Sequence, residues 1–442
     1  MRIQLSDHFT YHKLIRFVLP SIVMMVFTSI YGVVDGLFVS NFVGKTPFAA
    51  INLIYPLIMI LGAIGFMLGT GGTAIVAKTL GQGDKEAANR YFSMLVYVSI
   101  AAGVVLTAIG IPALRPVGRL LGAEGGMLED CVIYGRIILM GLPFFMLQFL
   151  FQSFFATAEK PKLGLGVTVA AGMTNIVLDA LFVAGFGWGL VGAAVATAMS
   201  QVVGGVVPLV YFARRNASLL RITKTGFYGR VLLHTCTNGA SELMSNISAS
   251  IVTMLYNFQL LRFAGEDGVA AYGVIMYVAF FFAAVFIGYA VGSAPIVSFN
   301  YGAENQGELK NLCRKSFILT GISGVAMCLL AVLLAVPLAK IFVGYDQDLY
   351  LMTVRGFRFY AISFLLSGFN IFGSAFFTAL NNGAISAAIS FLRTLLFQCV
   401  SILVLPVIWG IDGIWSAVIA AELLSLVVTV VFLLANRRRY HY

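Results

Sequence analysis

The sequence predicts an all-α integral membrane protein, with twelve transmembrane helices in two six-helix bundles related by a parallel pseudo-two-fold repeat. Three observations lead to this fold class: the composition, the number of long apolar runs, and an internal repeat. Of the 442 residues, 60% are hydrophobic and only 10% are charged, whereas a soluble domain is about a quarter charged. A soluble core of this length could not cover so much apolar surface, so we expect lipid to be the solvent of most side chains.

The apolar runs have the length that a bilayer requires. A helix needs about 20 apolar residues to cross roughly 30 Å of hydrocarbon. The first run follows a short polar N-terminus and is too long for the apolar part of a signal peptide, so we interpret it as a retained span. The twelve predicted spans cover residues 14–39, 48–78, 90–112, 130–157, 163–185, 189–212, 231–261, 269–298, 314–340, 351–379, 384–408 and 413–435.

The basic residues indicate how the chain is oriented. The net charge is +10, but Lys and Arg fall in short loops between apolar runs, so they predict topology and not a nucleic-acid partner. Most lie on the side that carries Arg2 and the C-terminal Arg437, Arg438 and Arg439. Because cytoplasmic loops are the basic ones, both termini are expected in the cytoplasm, in a multi-pass protein of the cytoplasmic membrane (inner or plasma membrane).

A repeat with an offset of 221 residues divides the chain. "FAAINLIY" from Phe48 aligns with "VAAYGVIM" from Val269, and the same offset places Gly81 on Gly302 and Trp188 on Trp409. Six spans per half is an even number, so both halves enter the membrane in the same direction, a plan known in secondary transporters. The predicted parts are an N-terminal lobe of residues 1–213, a cytoplasmic linker of residues 214–230 and a C-terminal lobe of residues 231–442. We expect a monomer with membrane lipid around it.

Polar side chains inside the spans of the N-terminal half are predicted to lie at one depth. Asp35 is in the outer part of span 1, Asp179 is in the outer half of span 5, and Thr197 reaches a similar depth on span 6. Asn175 precedes Asp179 by four residues and so shares its helix face. Two carboxylates with amide and hydroxyl oxygens can bind Na⁺, or can carry a proton because burial and a nearby like charge favour the neutral acid. Alternatively, each aspartate caps a helix break or bonds to neighbouring backbone.

Other polar groups in the spans allow more than one interpretation. Gln148 and Gln152 on span 4 are placed to reach the same bundle, and Pro20 can kink span 1, either statically or as part of a movement. Glu242, near the middle of span 7, either meets a positively charged substrate or makes an internal hydrogen bond.

The second half does not reproduce the paired aspartates. At the repeat offset, Asp35 aligns with Tyr256 and Asp179 with Val400. Near the middle of span 12, Glu422 is predicted to pair with Arg393, because an unpaired charge in lipid is costly.

Signatures of soluble enzymes are not found. "GTGGTA" at residues 69–74 lies inside a predicted helix with no Walker lysine pattern, so it is not a phosphate loop. The five cysteines are scattered, without CxxC or Cys/His clusters. We therefore expect no enzyme activity, no cofactor, and no metal beyond a possible Na⁺ at Asp35 and Asp179. Transport energy is then expected from an ion gradient.

Several motifs, taken in order, resemble the multidrug and toxic compound extrusion (MATE) family over nearly the whole chain. They are "VDGLFVSNFVG" in span 1, "NIVLDALFV" in span 5, "GLVGAAVATAMSQ" in span 6 and "GAENQGELKN" after span 8. "NGASELMSNIS" in span 7 is similar to the bacterial MepA-like and DinF-like branches. The resemblance implies an antiporter that exports lipophilic, often cationic compounds against H⁺ or Na⁺.

The resemblance also implies roles for individual residues. The cation site of the family's N-terminal lobe falls on the four residues that depth selects, and its span 1 proline and tyrosine match Pro20 and Tyr31. Gln152 stands where relatives often have Asn. Members with a second site use acidic residues on spans 7 and 10; Glu242 fits the first, whereas span 10 here offers Asn370. Tyr31, Gln148, Gln152, Glu242 and Asn370 are thus the predicted residues of the substrate cavity.

The predicted function is alternating-access antiport of small lipophilic or cationic molecules. One alternative is a flippase for lipid-linked or other amphiphiles, but the single clear intramembrane arginine, Arg393, argues against a phosphate-binding cavity. A channel or a receptor without transport is a second alternative. The choice between H⁺ and Na⁺ is left open at this point.

Overall fold

The computed structural model describes residues 3–442, apart from the side chains of Leu37, Ser40 and Lys45. Arg2, one of the basic residues used for orientation, lies outside the described residues. All regular structure in the described part is helical. The helices are α1 (Tyr11–Phe42), α2 (Lys45–Gly81), α3 (Lys85–Leu120), α4 (Gly125–Met140), α5 (Leu142–Thr157), α6 (Pro161–Asp179), α7 (Gly189–Ala213), α8 (Gly229–Gly302), α9 (Gln306–Val343), α10 (Gln347–Ala379), α11 (Gly383–Phe391), α12 (Phe397–Trp409) and α13 (Ile411–Tyr440). Two π-helical turns, Ala180–Gly185 and Leu392–Leu396, follow α6 and join α11 to α12.

These helices account for the twelve predicted spans within the described residues. The 74-residue α8 contains spans 7 and 8, which meet at Gly265, where φ is 64° and ψ is −153°. The sequence predicts a loop at 262–268, but the structure keeps helix on both sides because a glycine accepts this positive φ at little cost. Helices α11 and α12 form span 11 together. We call the part of α8 before Gly265 its first arm and the part after it its second arm.

Span 4 is broken, in contrast to the single helix predicted over 130–157. Helices α4 and α5 are bent by 55° at their junction. Pro143 in the first turn of α5 has no N–H to donate to the carbonyl of Leu139, four residues earlier. The Thr107 hydroxyl of α3 donates to that carbonyl instead, at 2.6 Å, so a neighbouring helix satisfies the group that the proline leaves free.

The helices extend beyond the apolar runs. The third span is predicted at 90–112, whereas α3 runs over Lys85–Leu120. The earlier start is stabilised by Asp84, whose side chain caps the helix by accepting from the Ala87 N–H at 2.9 Å. Large apolar side chains such as Leu120 and Val407 are more than 80% exposed. Exposure of this kind on long helices is typical of a surface that faces hydrocarbon.

The linker between the two halves packs against the N-terminal bundle. It lies on α3, where the Arg221 N–H donates to Asn89 Oδ1 at 2.7 Å and the Thr223 N–H donates to Ser93 Oγ at 2.8 Å. Leu220 is fully buried there. The basic linker of residues 214–230 is therefore attached to the N-terminal bundle by hydrogen bonds and a buried side chain.

The two bundles touch backbone to backbone at the end of the molecule that carries both termini. A Cβ added at Gly81 would lie 2.0 Å from the carbonyl oxygen of Phe299, and one at Gly302 would lie 2.0 Å from that of Lys78. These two glycines are equivalent at the repeat offset, so the contact is itself nearly two-fold symmetric. Each helix end fits against the other only because neither contact residue has a side chain.

A second pair of contacts follows the same symmetry. Gly71 of α2 meets the backbone of Thr235 and Gly239 in the first arm of α8. Gly292, the repeat equivalent of Gly71, meets Val18 of α1, the repeat equivalent of Gly239. The interface between the bundles is thus built from α2 against both arms of α8 and from the second arm of α8 against α1.

The segment before α1 connects the bundles at this same end. The Leu5 N–H donates to Glu159 Oε1 at 2.8 Å in the N-terminal bundle, and the Phe9 N–H donates to Glu308 Oε1 at 2.9 Å in the C-terminal bundle. Leu5 and Phe9 are fully buried. The N-terminal segment therefore stabilises the arrangement in which this end is closed.

Candidate functional site

The four predicted ion-site residues come together inside the N-terminal bundle. Asn175 and Asp179 project from α6, Asp35 from α1 and Thr197 from α7. The Asn175 amide donates to Thr197 Oγ1 at 3.4 Å, and the Thr197 hydroxyl donates to Asp35 Oδ1 at 3.5 Å. The Asp35 and Asp179 carboxylates are neighbours. The depth argument from the sequence therefore agrees with this placement.

The local structure of α6 presents its two polar residues to the bundle interior. Asn175 and Asp179 are one helical turn apart and only 2% and 0% exposed. Asp179 is the last residue of the α-helix before the π-helical turn Ala180–Gly185. A π-helical turn shifts the helix face by an extra residue and is frequent at functional sites.

Several buried oxygen atoms of this site lack a hydrogen-bond donor, as expected of a site that binds a cation or a proton. Both carboxylate oxygens of Asp179 and the Oδ1 of Asn175 are buried, and no described donor group contacts them; the adjacent Asp35 carboxylate can hydrogen-bond to Asp179 only if the two share a proton. Two neighbouring carboxylates cannot both remain charged in such a place without a cation or a shared proton. The oxygen set of carboxylates, amide and hydroxyl suits a hard monovalent cation or a proton. Among the described residues, no group of three or more His, Cys, Asp or Glu side chains could hold a metal ion.

Two of the predicted cavity residues of the N-terminal bundle, Tyr31 and Gln148, lie beside this site. Tyr31, on α1 one turn before Asp35, is within hydrogen-bonding reach of Gln148. Gln148 packs against Gly204 of α7, since a Cβ there would lie 2.6 Å from the Gln148 side chain. Both amide atoms of Gln152 are buried without a partner. Pro20 lies within α1, which stays helical through it.

One residue of this site was missed by the sequence analysis. Tyr134 of α4 is 3% exposed and lies within hydrogen-bonding reach of Thr197, near both aspartates. It sits in the apolar run "CVIYGRIILM", where a tyrosine is not unusual. The signal available was its position in the outer half of span 4, the same depth that selected Asp35.

In the C-terminal bundle, the predicted Glu422–Arg393 ion pair is confirmed. The Arg393 Nε donates to both Glu422 carboxylate oxygens, at 2.9 and 3.0 Å, and Nη2 lies 2.8 Å from Oε1. The Asn370 amide donates to Glu422 Oε2 at 2.7 Å, and its Oδ1 accepts from the Thr429 hydroxyl at 3.1 Å. Asn370 is fully buried and its amide is engaged in holding Glu422.

Glu242 lies apart from that pair on the first arm of α8. It is half-buried and close enough to Arg393 for an electrostatic interaction with the guanidinium group. Span 10 supplies Asn370 to Glu422 and not to Glu242. The described residues thus do not assemble a second site made of acidic groups from spans 7 and 10.

Comparison with known proteins agrees with the fold and with the repeat. The MatE family model matches the chain twice, over residues 20–181 and 243–403, which together make up more than half of it. The two matched stretches begin and end at nearly the offset of the internal repeat.

Curated relatives and solved structures match over almost the full length. The multidrug export protein MepA of Staphylococcus aureus (strain MSSA476) is 25% identical over 434 residues, covering 97% of this chain and 94% of that protein. MepA of Staphylococcus saprophyticus subsp. saprophyticus is also 25% identical, covering 96% and 94%.

Among solved structures, the outward-facing conformation of a multidrug resistance MATE family transporter of the MOP superfamily superimposes with a TM-score of 0.91 at 23% identity, covering 98% of this chain and 96% of that one. A MATE crystal structure in the bent conformation gives 0.88 at 24% identity, covering 99% and 96%. Since the family model covers most of the chain and the fold agrees throughout, the chain belongs to the MatE family, and its twelve membrane spans form the two bundles of that fold.

Proposed function

We propose that the protein is a secondary active efflux transporter that exports small lipophilic or cationic compounds in exchange for H⁺ or Na⁺. The observation that carries this proposal is the pair of neighbouring carboxylates, half-buried Asp35 and fully buried Asp179, with no described donor group at the Asp179 oxygen atoms. The names of the MepA relatives support the choice of drug-like substrates. No enzyme activity and no resident cofactor are part of the proposal.

The coupling ion binds between α1 and α6. Asp35, Asn175, Asp179 and Thr197 supply its oxygen ligands, or the aspartates share its proton. Tyr31, Gln148 and Gln152 border this site and line the N-terminal side of the substrate path, and Glu242 attracts positively charged substrates from the C-terminal side. The contacts of Asn370 assign it to the support of Glu422.

Transport follows from a difference in ion affinity between two arrangements of the bundles. The described structure has the end with both termini closed by the α2 and α8 glycines. Binding of the ion at Asp35 moves α1, with Pro20 as the place where its hydrogen bonding is weakest, and lowers the affinity for the exported compound. Coupling requires only that ion and compound favour different states.

The proposed topology places both termini and the closed end in the cytoplasm, in a monomer of the cytoplasmic membrane. Its lobes are residues 1–213 and 231–442, and the linker is residues 214–230. The bias of Lys and Arg supports this orientation.

The test is transport into inverted membrane vesicles with one imposed gradient at a time. An inside-acid gradient or inside-high Na⁺ should drive accumulation of a fluorescent lipophilic cation, such as ethidium, and only one of the two gradients should suffice. Asp35→Asn and Asp179→Asn should each lower the initial rate at least tenfold. Asp348→Asn, at an exposed position in the first turn of α10, is the matched control. Full gradient-driven uptake by both site variants would show that the carboxylates do not couple transport.

A further inference from the structure

A cavity of about 180 Å³ lies inside the C-terminal bundle. Its walls come from both arms of α8, from α10, from the π-helical turn Leu392–Leu396, from α12 and from α13. The polar and aromatic part of the wall includes Tyr256, Tyr272, Tyr360, Ser367, Arg393 and Glu422.

This cavity coincides with part of the repeat counterpart of the ion site in the N-terminal bundle. At the offset of 221 residues, Asp35 aligns with Tyr256 and Thr197 with Val418, and both of these counterparts line the cavity. Leu396 and Val400, the counterparts of Asn175 and Asp179, are exposed and do not line it, so the two pockets share only the side formed by the counterparts of Asp35 and Thr197.

The N-terminal site has two neighbouring carboxylates, whereas this cavity has the Arg393–Glu422 ion pair, in which both Glu422 oxygens already accept hydrogen bonds from Arg393. Gly172 of α6 aligns with Arg393, and a Cβ at Gly172 would meet the rings of Phe27 and Tyr31. The N-terminal site thus has no room for a side chain where the C-terminal cavity has a guanidinium. A small cation is not expected here, because Arg393 already occupies the position next to Glu422.

Arg393 retains hydrogen-bond donors that Glu422 does not use. Its Nε and Nη2 face Glu422, and no described residue accepts from its Nη1. Arg393 is 20% exposed and lines the cavity. The π-helical turn that contains it displaces it from the regular helix face.

A second polar group points into the same cavity without a partner. Ser367 of α10 is 93% buried, lines the cavity, and has no hydrogen-bond partner for its hydroxyl among the described residues. An unpaired buried hydroxyl costs free energy unless a ligand or water satisfies it. Its donor and the Nη1 of Arg393 together suit an anion with two oxygen atoms.

The remaining wall is aromatic. The rings of Tyr256 and Tyr272 stack with centroids 4.7 Å apart and planes 11° from parallel. Flat aromatic faces pack well against another ring. The cavity volume of about 180 Å³ leaves room for one small ring with a carboxylate.

We propose that this cavity binds the carboxylate end of small aromatic acids, including that end of a zwitterionic compound. The carboxylate accepts from Arg393 Nη1 and the Ser367 hydroxyl, while the ring packs beside Tyr256 and Tyr272. As a statement about what is exported, this rests on the proposed function and adds a subsite for a carboxylate to it. As a statement about binding, it stands without any transport.

The test uses three probes of one shape and different charge: benzoate, benzamide and benzylamine. Saturation-transfer NMR with the full-length protein in nanodiscs measures the binding of each, and protein-free nanodiscs correct for partition into lipid. Benzoate should bind at least fivefold more tightly than benzamide, and benzylamine should bind more weakly than either. Tighter binding of benzylamine would overturn the proposal and would assign the cavity to cations.

Two variants keep the test independent of folding. The double variant Arg393→Gln/Glu422→Gln removes both charges together, so no buried charge is left unpaired, and it should abolish the preference for benzoate over benzamide. Ser367→Ala, a smaller change, should reduce that preference two- to threefold. Arg355→Gln, which removes an exposed arginine paired with Asp412, should leave it unchanged. An undiminished preference in the double variant would refute the assignment to Arg393, even if efflux by the wild type behaves as proposed.

Discussion

The contact between Gly81 and Gly302 is expected to determine how firmly the end with both termini closes. Alanine at either position places a Cβ 2.0 Å from a carbonyl oxygen of the other bundle, whereas ordinary contacts begin at 3.4 Å. The helix ends must therefore separate by about 1.4 Å, and backbone atoms cannot rotate away as a flexible side chain could. Replacing glycine with alanine raises helix propensity by the same amount in the open and closed conformations, so this effect cancels. The steric clash exists only in the closed conformation and therefore destabilises that conformation alone.

The magnitude follows from the cost of overpacking. One added methyl group in a tight contact costs about 1–3 kcal/mol. A difference of this size between two conformations shifts their ratio by about 5- to 150-fold. Because the two positions are equivalent in the repeat, Gly81→Ala and Gly302→Ala should have similar effects.

The assay is a distance measurement between spin labels on the two bundles. Labels at Lys85→Cys and Lys310→Cys, both exposed near the closed end, are introduced after the five native cysteines have been replaced. The alanine variants should move population from the short to the long distance. Gly166→Ala, where an added Cβ meets nothing within 4 Å, is the control. Unchanged distance distributions in both alanine variants would refute the idea that these glycines limit closure.

Three further predictions concern single side chains. Arg393→Gln alone should lower the free energy of unfolding by about 3–5 kcal/mol, because the buried Glu422 loses its partner, and thermal unfolding of the purified protein should show partial recovery when Glu422→Gln is added. Tyr134→Phe, which removes the hydroxyl near Thr197, should lower the ion-driven transport rate several-fold without a change in thermal unfolding; an unchanged rate would exclude the hydroxyl from the site. Glu308→Gln should weaken the attachment of the N-terminal segment by about 1–3 kcal/mol, seen as faster proteolysis within the first ten residues, and equal rates in variant and wild type would contradict this role.

Four of the five residues at the ion site could be identified from the sequence. Asp35, Asp179, Asn175 and Thr197 were found because depth in a bilayer follows directly from residue count along a helix. Tyr134 was not found, because a tyrosine in an apolar run has the same appearance whether it faces lipid or a site. Its role depends on which face of α4 points inward, and that face is determined by packing against α2, α3 and α7.

The break in span 4 shows a different limit. Pro143 is visible in the sequence, but a proline in a long apolar run is compatible with a bend or with a straight helix. The bend becomes favourable because Thr107, on another helix, satisfies the free carbonyl of Leu139. Similarly, the loop predicted near Gly265 is absent because two helices meet there directly.

The sequence by itself determined that this is a membrane protein of twelve spans in two repeated halves, with two carboxylates at one depth of the first half. Apolar length, the bias of basic residues and the repeat are local properties of the chain, and bilayer thickness converts them into topology. Only the tertiary structure decided that Gly81 lies near Gly302 across the bundle interface, that Arg393 lines a cavity with aromatic walls, and that Tyr134 lies at the ion site. These contacts link residues far apart in sequence, and they depend on close packing between helices, which no local pattern encodes.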